Sequence, residues 1–543
     1  MDRKRADSQE SSLRIFTPYL IVLLMCSTSV TAVSGASHRS RASESSTRAG
    51  SIPDVSSTVA ARFLEQSSWG PTAATISQVQ KAGLNSFLQQ QFTAPVSTYA
   101  TPGPTDGLDF VQKQFFVNAM QGQDQLRQRV SFALSEIVVI SGVGKNIKSP
   151  AAFSLWMNML QNDAFGNFFT LLNDVTLSPS MGSYLNMANN NGCTTRCRPN
   201  ENYGREILQL FSIGLYQLNV DGTPILDQNG NLIRTYGQDS IAGFGKVFTG
   251  WSYPPAPGVV AHFYDGPYYS GPMLPFQKHY SQSSKTLLNG VELAPKGDIQ
   301  LDLTSALQNI FTHPNVGPFI CKQLIEKMVT SNPSPAYVTR VVQVFDNDGT
   351  GVRGNLQAVI SAILLDSEAR RGDDPTQVQP SDGHLREPLL HMLATMRALN
   401  ATTGGTNLNV YAGSMLQAPF LSPSVFNFYP PSFEVPGTSL IGPEFDILNA
   451  NTTMSRINFV NDLIYGTVGP DTTIDISAYV NVAHNVAGLL KLVNNTIMHG
   501  QMPDDMYATL SDTLKSGAFP DDTSKAEAVL YLAVTSSQYQ VEH

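Results

Sequence analysis

PNENYGREILQLFSIGLYQLNVDGTPILDQNGNLIRTYGQDSIAGFGKVFTGW, residues 199–251, joins a charged helix, a turn-rich ribbon and a second helix ending in an aromatic. At about 100° per residue, counted from Glu201, one arc carries Ser212, Arg205, Gln209, Asn202, Ile213 and Glu206. The opposite arc carries Leu210, Tyr203, Gly214, Ile207, Phe211, Leu215 and Leu208. The pattern predicts an amphipathic helix with a buried back. Pro199 and Asn200 supply its start, because Asn caps free N–H groups of a first turn. Glu201 and Arg205 stand four apart with the acid first, the favoured order for an ion pair on one face. Asn202 and Glu206 lie beside them. Two readings stay open: a solvated face with an intrahelical ion pair, or a cleft wall whose carboxylate moves protons or holds a cation while Arg205 orients it.

Outward from this helix, Asn229-Gly230 between Ile225-Leu226 and Leu232-Ile233 predicts a small hairpin. Residues 252–297 are dense in Pro, Gly and Tyr and read as a long irregular excursion, of the kind that often carries function. On the N-terminal side, helical spacing recurs over residues 60–66, 76–88 and 126–140, with Thr72 as a cap. Further helices are expected over residues 151–187, 301–365, 385–399 and 454–536 with breaks between them. The expected fold is mainly α: a large multi-helix globular unit with one small β-hairpin and long Pro/Gly/Tyr-rich loops. Residues 56–543 are expected as one domain, with a possible helical subregion over 446–543. Glu136 enters an apolar run, where a carboxylate is usually paired, and an arginine is the expected partner.

PNENYGREILQLFSIGL, the DGTPILDQNGN ribbon and FTGW resemble the signature of the exported bacterial family called domain of unknown function 1800. ARFLEQSSWGPT (61–72), QLRQRVSFALSEI (125–137), HPNVGPFICKQLIEKMVTSNPSPAYV (313–338), GVRGNLQAVISAILLDSEAR (351–370), LREPLL (385–390) and SPSVFNFYPP (422–431) extend the likeness. It covers roughly residues 60–445. The family has no established activity, so the resemblance implies a fold and a context only. That context is an exported sulfatase-like protein, often encoded nearby, as a possible partner. His279 followed by Lys285 matches a recurring element of the family. Gly204 departs from the family pattern, which has Ala there; on propensity alone Gly loosens a helix by about 1 kcal/mol.

With 42% hydrophobic and 9% aromatic residues, the 543-residue chain has ample material for a core. Thirty-four basic and 43 acidic residues leave a formal charge of -9, spread along the chain. Nucleic acid and anionic membrane surfaces need a concentrated basic face, so neither is an expected partner. Arg3, Lys4, Arg5 and Arg14 precede the apolar run 15–26, and small residues follow to Ala36. This is a secretory leader layout, and the run is short of the roughly twenty residues that span a bilayer. Residues 1–36 are therefore expected as a signal peptide and 37–55 as a Ser/Arg-rich tether. The expected address is exported, periplasmic or extracellular, with no stable membrane span after the leader is removed. In such a compartment Cys193 and Cys197, flanking a three-residue loop, are expected to form a local disulfide. Cys321 reads as a buried small hydrophobe.

The chain has no GxSxG elbow, no HExxH, no phosphate loop and no GxGxxG opening a helix after a strand. Asp227, Asn229 and Asn231 mimic a calcium loop, but Leu232 stands where such a loop needs Gly. No cofactor or metal is expected. What remains is a pool of polar residues in the family-like stretches: Glu136, Asn190, Asn200, Glu201, Asn202, Arg205, Glu206, Trp251, His279, Lys285, Arg386 and Glu387. Of these, Glu201, Arg205, Glu206 and His279 are the catalytic candidates, and Asn190, Asn202, Trp251, Lys285 and Arg386 the binding candidates. The preferred function is binding or assembly with another exported protein, because no nucleophile can be paired with a base from spacing. The alternative is a hydrolase or lyase acting on a polysaccharide or glycan through paired carboxylates.

Overall fold

The computed structural model describes residues 55–144, 146–147, 149–192 and 198–542. The leader expected over residues 1–36 and all but the last residue of the tether lie outside them, as do Cys193 and Cys197. The expected disulfide is corrected: among the described residues there is no disulfide, and the one cysteine there, Cys321, is free and buried. As anticipated, Cys321 is a core residue, inside the helix Val316–Met328.

Twenty-two α-helices and three two-stranded antiparallel sheets make up the regular structure among the described residues, a mainly α fold. One apolar cluster runs from Ala60 to Tyr539. Its middle is a stack in which Val316–Met328 packs on Pro335–Asp346 and on Gln125–Ile137. Short polar side chains open many helices: Thr72 accepts the Thr75 N–H at 3.1 Å, as its position predicts, and Ser334 accepts that of Tyr337 at 3.1 Å.

The signature helix spans Asn202–Gln209 and is shorter than its periodicity suggests. Its N-cap is Glu201, which makes no side-chain capping bond, while Asn200, one residue earlier, accepts the Asn202 N–H at 2.9 Å. Its end is set by Ser212, whose hydroxyl bonds the Ile207 carbonyl, and by Gly214, which sits at φ +72° and donates its N–H to the Leu208 carbonyl at 3.0 Å. Both capture carbonyls a continuing helix would use. Ser212 and Ile213, placed on the polar arc by helical spacing, are consequently fully buried. Behind the helix, Gly204 faces the helix Gln238–Val247, where a Cβ would lie 3.0 Å from the Gly245 nitrogen. The two helices approach closely because neither has a side chain there.

The Asn229-Gly230 turn forms where expected, with the Asp227 carboxylate accepting the Asn229 and Asn231 N–H groups at 2.8 Å. Its ladder is reduced to single bridges, Leu226 to Leu232, Leu218 to Pro224 and Tyr216 to Arg234; Pro224 has no N–H to extend it. The two-stranded sheets lie elsewhere. Two are within the long excursion, pairing Trp251–Ser252 with Leu274–Pro275 and Lys285–Thr286 with Glu292–Leu293. The third joins His384–Leu385 to Val541–Glu542 near the C-terminus.

Candidate functional site

The residues nominated from sequence fall into separate places. Glu201 and Arg205 form the anticipated ion pair at 3.8 Å, with side chains 34% and 42% exposed, and Gln238 also donates to Glu201 at 3.0 Å. Asn202 is exposed and bonds Asn186 at 3.3 Å. Glu206 is half-buried near Tyr184 and Tyr236, and desolvation lifts its carboxyl above the ordinary range against the pull of Arg205. His279 lies flat on Phe263, ring centroids 3.8 Å apart, with Tyr264 at its edge. Among the described residues, no hydrogen bond or ion pair joins the imidazole to Glu201, Arg205 or Glu206. These four do not form one bonded group.

The binding candidates are ties in the scaffold. Asn190 clips Asn200, accepting its N–H at 2.8 Å and donating to its carbonyl at 3.0 Å, which sets the approach to the signature helix. Trp251 is buried in its strand. Lys285 is fully buried against Asp302 at 3.0 Å, over the Tyr280 ring. Arg386 lies between Glu65 and Glu542 with its guanidinium 4.2 Å from the centre of the Tyr539 ring.

A different group does converge. Glu136, in the last turn of Gln125–Ile137, is 1% exposed at its side chain, and Lys327 from Val316–Met328 approaches its Oε2 to 3.6 Å. The partner is thus a lysine and not the arginine expected. Arg129, two turns back on the same helix, reaches instead to the Lys327 carbonyl at 2.6 Å and holds that helix in place. Glu136 Oε1 accepts from the Asn427 amide at 2.9 Å and from the Tyr429 hydroxyl at 3.4 Å. Tyr429 donates more closely, at 2.7 Å, to Glu387, which also receives the Gln417 amide. Gln417 in turn accepts the Leu389 N–H at 2.9 Å in the first turn of Pro388–Ala398. Every side chain of this network is held by another.

Lys327 thus pairs with Glu136 and also feels the charge of Glu387. Burial, then the neighbouring Glu387 charge, pushes the Glu136 carboxyl up to about 8, against the pull of Lys327. Burial alone would lower the Lys327 ammonium, but Glu136, Glu387 and Glu444 outweigh it and the group is raised. The Tyr429 hydroxyl is driven well above its usual value by burial and then by the same two glutamates.

Glu136 is also a wall of two cavities. On one side a cleft of about 500 Å³ opens between the end of the signature helix, the helix Val316–Met328 and the loop 425–432. Leu210, Leu215, Leu218, Phe319, Val425 and Phe426 give it mostly apolar walls, while Glu136, Gln209, Lys322, Gln323, Glu326 and Lys327 are among its polar lining. On the other side a chamber of about 40 Å³ lies among Phe115, Phe132, Trp156 and Phe420. Glu136 Oε2 is buried and has no hydrogen-bond partner. Glu387 lines neither space. Among the described residues no cluster of three or more His, Cys, Asp or Glu is placed to hold a metal ion, and no helix is long and apolar enough to cross a membrane.

Sequence reasoning put Glu136 and Glu387 in its pool but missed Lys327, Asn427, Tyr429 and Gln417. All but Gln417 lie in the family-like stretches 313–338 and 422–431, so the signal was present in the segments and absent at the level of single residues. A search of curated proteins and one of solved structures each give no match. The family description "Protein of unknown function (DUF1800)" matches residues 62–541, nearly the whole chain, and the protein belongs to that family.

Proposed function

We propose that the protein is an exported binding protein that takes an apolar segment of another exported protein into the cleft over Glu136. One observation carries this: stretches far apart in sequence, 125–137, 209–218, 313–338 and 422–431, meet around a single cleft. Its volume falls within the roughly 300–1,000 Å³ of ordinary ligand sites. Apolar walls with a few placed polar groups suit aliphatic or aromatic side chains better than a sugar. Phe426 at the cleft, 44% exposed, is the kind of aromatic that binding covers. Export rests on the leader layout of residues 1–36, and the family context nominates a sulfatase-like exported protein as partner. A glycan hydrolase acting through Glu201 and Glu206 finds less support, since Glu201 is engaged by Arg205 and Gln238 and, among the described residues, neither acid is bonded to His279.

The test is association of the purified protein with the sulfatase-like exported protein of the same source, followed by calorimetry at low and high salt. Apolar docking predicts a complex that persists at high salt. Leu215→Arg and Phe426→Ser should each weaken it at least tenfold while leaving the melting temperature of the free protein within a few degrees. A complex that both variants form as well as wild type would place the contact elsewhere.

A further inference from the structure

Arg397, in the last turn of the helix Pro388–Ala398, is 5% exposed and has no acid beside it. Arg62 and Arg386, enclosed to the same degree, each hold a carboxylate, Asp373 and Glu65 respectively. Among the described residues no charged group acts on Arg397. It ties carbonyls instead: Nε donates to Gly70 at 2.7 Å, and Nη1 to Ala119 and Met120, both at 3.4 Å. Carbonyl oxygens occupy donors but bring no full opposing charge, and a buried cation without one is costly. Nη2 takes part in none of these bonds, yet it is not among the side-chain atoms that are both sealed and unbonded. Its N–H groups therefore reach open space.

That space is a second cavity of about 500 Å³, bordered by residues of the helices Ser57–Ser67, Ala73–Ala82 and Leu84–Phe92 and by the segments 93–95 and 122–125. Apart from Arg397, every residue lining it is uncharged. Thr75, Gln78, Gln90, Thr93 and Gln123 line it with hydroxyl and amide groups. Gln78 donates to Gln90 at 3.0 Å, which leaves the Gln78 carbonyl and the Gln90 amide nitrogen for another partner. The acids that adjoin lining residues in the chain are committed elsewhere. Glu65 pairs with Arg386, and Asp124 accepts from the Ser97 N–H at 2.8 Å and from Gln128 at 2.9 Å; neither lines the cavity.

We infer that this cavity binds a small sugar acid, a polyhydroxylated molecule with one carboxylate or phosphate group, whose anion meets Arg397 Nη2 while its hydroxyls meet Gln78 and Gln90. The site shares no lining residue with the cleft over Glu136 and does not depend on it. A guanidinium has donors only, and its planar fork matches an oxyanion. A cationic ligand would add a second positive charge with no acid to receive it. An apolar ligand would strand the glutamine amides. The volume exceeds a bare oxyanion and falls within the range of ordinary ligand sites, and side-chain amides serve hydroxyls as both donor and acceptor.

The experiment measures binding of glucuronate, glucose 6-phosphate, glucose and glucosamine to the purified protein by ligand-observed NMR at pH 6.5, with inorganic phosphate as a competitor. Glucuronate and glucose 6-phosphate should each bind about tenfold or more tightly than glucose, glucosamine or inorganic phosphate, and added salt should weaken them. Arg397→Gln should bring both acids down to the level of glucose. Because Arg397 also ties three carbonyls, a second variant leaves that tie intact: Gln90→Glu places an acid at an exposed position of the lining. It should weaken both sugar acids by about tenfold with the melting temperature within a few degrees of wild type. Glucose binding as tightly as glucuronate, or glucuronate binding unaltered in Gln90→Glu, would overturn the inference. Inorganic phosphate binding as tightly as either sugar acid would overturn it too, by showing an adventitious ion only.

Discussion

Glu136 shows how one side chain can tie stability to pH. Its carboxyl stands near 8 in the folded protein, above the ordinary value of 4.5. The native state therefore holds a proton that the unfolded chain has released between those values. The contribution is complete below about 4.5, falls as pH rises, and is gone above about 8. Urea unfolding at pH 5, 7 and 9 should show wild type losing stability relative to Glu136→Gln across that range, by an amount on the order of a few kcal/mol. Lys327→Met should be worse at high pH than at low, because at high pH it leaves two buried carboxylates without their cation; a cost of roughly 3–5 kcal/mol is expected at pH 9. A pH-independent difference for Glu136→Gln would mean that Glu136 is ionised throughout. None of this was readable from residue spacing, since Lys327 is far from Glu136 in the chain and only packing of their helices brings them together.

At the scale of elements, close approach of backbones outweighs propensity. Gly243, on the helix Gln238–Val247, meets the strand Lys285–Thr286 so tightly that a Cβ would stand 1.8 Å from the Thr286 carbonyl oxygen. Gly243→Ala should therefore destabilise, by about 3 kcal/mol, although Ala is the better helix former. Calorimetric melting checks this, and an unchanged or raised melting temperature would show that the strand yields. Helices were legible where an apolar stripe and a cap coincided, as at Ala73–Ala82 behind Thr72. Leu108–Gln121 escaped because its apolar and polar residues are mixed around the axis, with Gln112 and Asn118 buried beside Phe115 and Phe116. The signature helix was found and its length missed, because the Ser212 hydroxyl bond that ends it leaves no trace in periodicity. Of the site, the sequence exposed the segments that build it and two of its acids; their partners come from loops and helix ends that only the tertiary fold aligns.

Across the whole molecule, Arg386 ties segments from opposite ends of the described chain. It pairs with Glu65 on the helix Ser57–Ser67 and with Glu542, donates to the Tyr539 carbonyl, and Glu542 lies beside His384 at 3.8 Å. Arg456 adds a bond to Gln540 at 2.7 Å. Removing residues 540–543 strips the sheet at His384–Leu385 of its second strand and leaves a buried arginine with Glu65 as its one carboxylate partner. A loss of roughly 3–5 kcal/mol is expected, read as a lower urea midpoint, and an unaltered midpoint would show the tie to be dispensable.

The same junction orders events in time. Glu65 is 321 residues from Arg386, and the strand Val541–Glu542 that completes the junction lies further along the chain still. A folding chain can gather its middle helices early, yet the helix Ser57–Ser67 cannot complete this junction until both distant segments arrive. Contacts that span this much sequence form slowly, so this junction is expected to close after the middle helices have packed.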